Sequence, residues 1–213
     1  MTESASGIIL RTRPLTETSL IVHWLTPQAG RIFTVAKGAR RAKSQFAGKL
    51  DLFYEADFSF SRSRRSELHN LREINLRGTN SALRADILKL QQAAYAANFI
   101  EQATEIESPL PEIFELLRTF LKFLGEQNPQ PQNIFALELK LLRELGLLPN
   151  FGETSLTPGA KKIVANLLAN DWQKNLQLKL TAAQTTELRQ FLHGFLIFHL
   201  GKLPRGRAAA LTE

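Results

Sequence analysis

The 213-residue sequence predicts an α+β protein, a small antiparallel β barrel or sandwich followed by a helical bundle. Three observations lead there. As far as residue 76, short apolar runs alternate with polar residues and are broken by Pro and Gly; after Gly78 the apolar period changes from two to 3.6. The charge divides at the same place, with 13 Lys/Arg against 7 Asp/Glu in residues 1–80 and 14 against 13 in residues 81–213. Five short strands with no helices between them cannot build a doubly wound parallel sheet, which leaves the antiparallel alternatives.

The strands follow in order. Residues 7–13 form an apolar run closed by Pro14, and residues 18–26 alternate Leu20, Val22 and Trp24 with Ile21, His23 and Leu25 before Pro27. Gly30 restarts the chain, so that residues 18–37 read as a hairpin. The clearest alternation comes next: Leu50, Leu52, Tyr54, Ala56, Phe58 and Phe60 fall on one face, with Phe53 as the exception on the other. A weaker fifth strand covers residues 68–76.

The helical half opens with residues 81–104, the longest helix by this reading, free of Pro and Gly and striped by Leu83, Ile87, Leu90, Ala94 and Ala97. Ser108-Pro109 reads as a cap and first-turn proline for a helix that runs to Gly125. The next begins near Pro131 and ends at Gly146, with Glu138, Lys140, Arg143 and Glu144 expected to point away from its apolar face. Thr157-Pro158 starts a helix over residues 158–170. Thr181 and Gln184 have capping-box spacing ahead of Leu188, Phe191, Leu192 and Phe195.

Composition excludes several classes. The absence of Cys removes disulfides, cysteine-based zinc or iron–sulfur sites and a thiol nucleophile. No apolar run approaches the roughly 18 residues of a membrane span, and the first residues lack the cationic start of a signal peptide, so a soluble, cytoplasmic protein is expected. No histidine pair has the i, i+4 spacing of a helical metal site, and Glu101, Glu105 and Asp86 read as a solvated helix face. The stretch ending in Lys43-Ser44 has Ala42 and Lys37 where a phosphate-binding loop needs glycines. Nothing in the sequence reads as a catalytic centre.

The most informative segment is residues 37–49. It lies between two predicted strands and carries Lys37, Arg40, Arg41, Lys43 and Lys49 with no acid. Such a loop can track a phosphate backbone, and its charge belongs to a module of net +6, which favours a polyanionic partner such as nucleic acid or an anionic membrane surface without choosing between them. Arg31 precedes it, and Arg62, Arg64 and Arg65 follow the fourth predicted strand. Phe46 offers a stacking surface, although packing is the better reading for a lone aromatic. Lys174, Lys179, Arg189, Lys202, Arg205 and Arg207 near the end read as helix-terminal charge.

Several stretches, taken together and in order, resemble the RecO family of recombination mediators. They are Gly7-Ile8-Ile9-Leu10-Arg11-Thr12-Arg13-Pro14, Glu17 to Val22, Thr26 with Gly30-Arg31, Val35 to Arg41, Ser44 with Phe46-Ala47-Gly48, and Phe135 to Pro149. The resemblance implies an N-terminal five-stranded OB-fold barrel over residues 1–80 and an all-α helical domain over residues 81–213. It also implies a non-catalytic, nucleoid-associated protein that needs no cofactor. Such a protein binds single- and double-stranded DNA, anneals complementary strands and, with RecR, helps RecA replace single-strand-binding protein.

Carried onto the matching motif, the phosphate contacts would be Arg31, Lys37, Arg40, Arg41 and Lys43. The resemblance further implies that the helical domain receives the C-terminal tail of single-strand-binding protein. Many members carry a four-cysteine zinc module after the position of Leu148-Pro149; here Phe151-Gly152-Glu153-Thr154 follows and no zinc module is expected. From the residues alone, an RNA-binding OB-fold protein of translation or RNA processing stands as the alternative.

Overall fold

The computed structural model describes residues 2–212. Five strands, β1 (Thr2–Pro14), β2 (Leu20–Thr26), β3 (Gly30–Ala36), β4 (Glu55–Ser61) and β5 (Leu68–Gly78), close a barrel in the order β1-β2-β3-β5-β4. Every pairing is antiparallel except β3 with β5. This is the OB fold, and it decides between the barrel and the sandwich.

β1 makes the closure possible. It begins well before Gly7, and its first half pairs with β4, from Thr2↔Ser61 to Ile8↔Glu55, while its second half pairs with β2 as far as Pro14↔Leu20. A register shift between Ile9 and Arg11 marks the change of partner, the bend that a bulge supplies. The interior follows the period-two pattern. Val22, Trp24, Ile32, Ala56, Phe58, Phe60, Leu71 and Ile74 form one apolar cluster. Trp24 stacks on Phe58 at 4.0 Å between ring centroids and donates its indole N–H to Thr34 Oγ1 at 2.8 Å, so its one polar atom is satisfied.

The expected strand over residues 50–60 is shorter. Phe53 sits at φ +65° and is buried, its N–H donating to Ile9 O at 2.8 Å and its carbonyl accepting from Asn80 Nδ2 at 2.7 Å. That left-handed residue reverses the face order, which leaves Leu52 exposed and delays β4 to Glu55.

Two compact units divide the chain. One takes the chain as far as Ser81 together with Thr104–Leu121; the other takes Ala82–Ala103 and the chain from Lys122 onward. Within the first unit, the segment after Thr104 lies against the start of β3. Glu107 N–H donates to Arg31 O at 2.9 Å and Leu110 N–H to Pro27 O at 3.1 Å. Gly30, at φ +63°, is required there, because a Cβ would lie 1.7 Å from Ser108 O.

The helices are α1 (Ile87–Ala103), α2 (Pro111–Glu126), α3 (Pro131–Glu144), α4 (Pro158–Ala169), α5 (Trp172–Leu176), α6 (Ala182–Leu200) and α7 (Arg207–Ala210). Several expectations are corrected. Residues 81–85 form a 3-10 turn ahead of α1. Ile87 and Ala94 are exposed; the buried face of α1 is instead Ala93, Ala96, Ala97, Phe99 and Ile100 with Tyr95 and Gln92. Pro111, not Pro109, opens α2, and Gly125 lies inside that helix. At 19 residues α6 is longer than α1 at 17.

Glu138 and Lys140 do not point away from the packed side of α3 but are buried. Glu138 accepts both Nε (2.6 Å) and Nη2 (3.0 Å) of Arg207 and the Tyr95 hydroxyl at 2.5 Å. Arg207 is therefore an interior ion-pair partner, not helix-terminal charge. Lys140 Nζ donates to the carbonyls of Leu168 and Asn170 at the end of α4, the negative pole of that helix.

Candidate nucleic-acid interface

β3 delivers the chain into residues 37–49 at Ala36. Gly38 and Gly48, at φ +69° and +71°, bracket a run of tight turns. Successive N–H groups close them: Arg41 onto Gly38 O, Ser44 onto Arg41 O and Lys49 onto Phe46 O at 3.0 Å each, and Ala47 onto Ser44 O at 3.1 Å. Phe46, 4% exposed, belongs to the barrel's apolar cluster. It is the anchor of the loop rather than a stacking surface. Arg40 N–H donates to Thr18 O at 3.0 Å, and Gln45 Nε2 donates to Arg72 O at 3.0 Å. The loop is thus pinned to the β1–β2 connection on one side and to β5 on the other.

On that scaffold Lys37, Arg40, Arg41 and Lys43 are exposed and Lys49 is half-buried. Among the described residues no carboxylate forms an ion pair with any of the five. Arg40 does donate from Nη1 to Thr16 O, at 3.4 Å. Two further cations share this end of the barrel. Exposed Arg13 precedes Pro14, which pairs with Leu20 and through it with Ala36; exposed Arg72 supplies the carbonyl that holds Gln45. Charge clustering along the sequence does not join either to the loop, since each lies in a strand remote in sequence from residues 37–49; the strand register finds both.

The other proposed cations lie elsewhere. Arg31 is 9% exposed, and its guanidinium donates to Thr104 through Nε to Oγ1 (2.8 Å) and through Nη2 to the carbonyl. It is committed to holding the Thr104 segment. Arg62 bridges two carboxylates, Glu3 (Nε–Oε1 2.9 Å) and Glu107 (Nη1–Oε1 2.8 Å). Its hydrogen bond to Glu3 holds the Arg62 pKa above the ordinary guanidinium value and, reciprocally, draws the Glu3 carboxyl below its usual 4.5. Glu107 also receives His69 Nε2 at 2.8 Å, while His69 Nδ1 faces the Ser63 N–H at 3.3 Å, which places the imidazole proton on Nε2. Arg64 and Arg65 are exposed at the tip of the β4–β5 loop. Because β5 enters beside Phe33 and runs parallel to β3, that loop and residues 37–49 project from opposite ends of β3. The barrel gathers Lys37, Arg40, Arg41, Lys43 and Lys49 and separates them from Arg31, Arg62, Arg64 and Arg65.

Among the described residues no group of three or more His, Asp or Glu side chains could hold a metal ion, and no helix is long and apolar enough to cross a membrane.

A closed five-stranded barrel of this strand order, continued by a helical unit, defines an OB-fold protein, here one with a basic loop that has no carboxylate partner among the described residues. Comparison with known proteins narrows the class. Residues 1–80 match the family described as Recombination protein O N terminal and residues 84–155 match Recombination protein O C terminal. The chain is 31% identical over 159 residues to the DNA repair protein RecO of Myxococcus xanthus, covering 72% of this chain and 63% of that protein. It is 31% identical over 149 residues to the DNA repair protein RecO of Bacillus subtilis, covering 70% of this chain and 58% of that protein. The matched stretch thus spans roughly three fifths of the length of these relatives. The chain belongs to the RecO family.

Proposed function

We infer that this chain binds DNA through residues 37–49 and serves DNA repair as a recombination mediator. The observation that carries the reading is five cations on one loop that have no carboxylate partner among the described residues, the loop being fixed to the barrel core by Phe46. A fixed cationic loop neutralises backbone phosphates and releases their counterions without reading bases, so it suits single and double strands alike. Holding two strands against the same positive surface lowers their mutual repulsion and lets complementary bases meet, which is annealing by charge neutralisation. Arg13 and Arg72 extend the surface along the same end of the barrel. RecR and, through it, RecA are the partners this role requires.

The acidic, hydrophobic-ended tail of single-strand-binding protein finds suitable chemistry in the helical unit. A cleft of roughly 500 Å³ there is lined by Leu176, Leu178, Leu180 and Lys179. The rest of the lining is polar, with Gln127, Asn128, Gln130 and Gln132, so the support for this reading is the Lys179 ammonium for the tail's carboxylates beside leucines for its hydrophobic end.

Affinity for a labelled oligonucleotide is expected to fall steeply with salt. Arg40→Ala combined with Arg41→Ala should flatten the log–log slope by about two units if each side chain meets one phosphate. An unchanged slope in that double variant removes the loop from the interface. Competition between DNA and RNA of matched sequence separates this reading from an RNA-binding OB protein; a strong RNA preference would reassign the function. Strand annealing on DNA coated by single-strand-binding protein, with and without its C-terminal tail, tests the partner.

A further inference from the structure

α6 opens with a complete capping box, Thr181 Oγ1 accepting the Gln184 N–H and Gln184 Oε1 accepting the Thr181 N–H. Its inner face is the i, i+4, i+8 stripe Leu188, Leu192 and Leu196, each fully buried. A surface helix of this kind should turn charged residues outward. Instead residues 190–201 contain no Lys, Arg, Asp or Glu at all. Phe198 is 82% exposed and Ile197 41%. Beside them runs an aromatic ridge: Phe191 against Phe195 at 5.8 Å, Phe195 against His199 at 4.4 Å and His199 against Phe198 at 5.0 Å. In its middle is Gly194, a helix-weakening residue whose missing Cβ would meet nothing within 4 Å. A contiguous apolar patch of this sort marks an interaction surface.

We propose that this face of α6 pairs with the same face of a second copy of the chain. The charge pattern selects the occupant. Nucleic acid or an acidic peptide would call for Lys or Arg within the patch, and residues 190–201 supply neither. A face without Lys, Arg, Asp or Glu meets its own copy with little like-charge repulsion, and a glycine at the crossing lets two helix backbones approach closely. A two-fold axis through Gly194, with the helices antiparallel, sets Phe198 beside Gln190 and Ile197 beside Phe191 across the axis, the self-complementary pattern of an isologous contact. The 19 residues of α6 span about 28 Å, so one such crossing lies at the small end of specific interfaces, and the dimer is weak and reversible. The pairing stands apart from the DNA-binding reading and would survive its failure.

The test uses the full-length protein free of DNA. In sedimentation velocity from about 1 to 100 μM, the average mass should rise from 24.0 kDa toward twice that value, and the rise should persist in about 1 M salt, where charge-driven contacts are screened. Phe198→Glu should remain at the monomer mass with an unchanged circular dichroism spectrum. Because the chain has no cysteine, Gly194→Cys should crosslink to itself under mild oxidation far faster than the exposed control Lys174→Cys. Four results would overturn the proposal: a monomer at every concentration, association lost in high salt, undiminished association of Phe198→Glu, or equal crosslinking of the two cysteine variants. Binding of monomeric wild-type protein to neutral phosphatidylcholine vesicles would overturn it too, by assigning the face to a lipid surface.

Discussion

Glu138 shows how one residue can be placed correctly in a helix and wrongly on its surface. It follows Leu137 and precedes Leu139 in α3, where a charged residue is ordinarily solvated, yet it is fully buried. Arg207, 69 residues away, makes that burial tolerable by donating twice to its carboxylate, and Tyr95 donates once more. No local pattern links residues 138 and 207. A buried pair of this kind contributes little net stability but is costly to break from one side, because the remaining charge loses its partner. Arg207→Met or Glu138→Leu alone should therefore each destabilise the chain by about 3–5 kcal/mol in urea unfolding, while the double variant should recover much of the loss.

Tyr95 reports on the same cluster. Burial first, and the Glu138 carboxylate second, push its phenol well above the ordinary value of 10.0. A group whose pKa is raised by folding contributes fully below its unfolded value and loses that contribution as pH rises through the folded one. Tyr95 thus sets an alkaline limit to stability beginning near pH 10.0. Tyr95→Phe should remove that limit in alkaline melts and cost about 1.5–3 kcal/mol at neutral pH through the lost hydrogen bond to a charged acceptor.

At the scale of elements, what could be read from the sequence is what periodicity and caps encode. The barrel strands, the start of α3 at Pro131, the Thr157 cap of α4 and the Thr181 capping box of α6 all rest on patterns a few residues long. The failures share a cause: tertiary contacts overrode a local pattern. Phe53 breaks an otherwise regular alternation because its backbone bonds to Ile9 and Asn80 hold it left-handed. Pro109 looks like a first-turn proline, but Leu110 N–H is bound to Pro27 O, so α2 waits for Pro111. The basic loop divides the same way. Its five cations were visible in sequence; that Phe46 pins it, and that Arg13 and Arg72 join it, depends on strand register. Phe46→Ala should cost about 3–5 kcal/mol, and in hydrogen exchange should loosen residues 37–49 more than the opposite end of the barrel. Equal protection of the loop in wild type and variant would show that its turns hold without the anchor.

At the scale of the molecule, a net charge of +7 says only that an anion is favoured; the proposed interface rests on how that charge is arranged. Within the barrel unit, one end of β3 carries cations that have no carboxylate partner among the described residues, and the other carries Arg62 between Glu3 and Glu107. Arg62→Ala separates the two roles in a single protein. If Arg62 is structural, the salt slope of DNA binding should stay unchanged, whereas a contact to phosphate would lower it by about one unit. Stability should change in a pH-dependent way. Glu3 is held below its usual 4.5 by the Arg62 hydrogen bond, and a group depressed by folding contributes stability above its unfolded value and loses it as pH falls through the folded one. The difference between wild type and Arg62→Ala should therefore be greatest above pH 4.5 and should shrink on acidification. Since Arg62 and Glu3 are both partly solvated, the full difference should stay below about 1 kcal/mol. A pH-independent difference together with a lowered salt slope would move Arg62 from the fold to the interface, and the basic surface would then extend to both ends of the barrel.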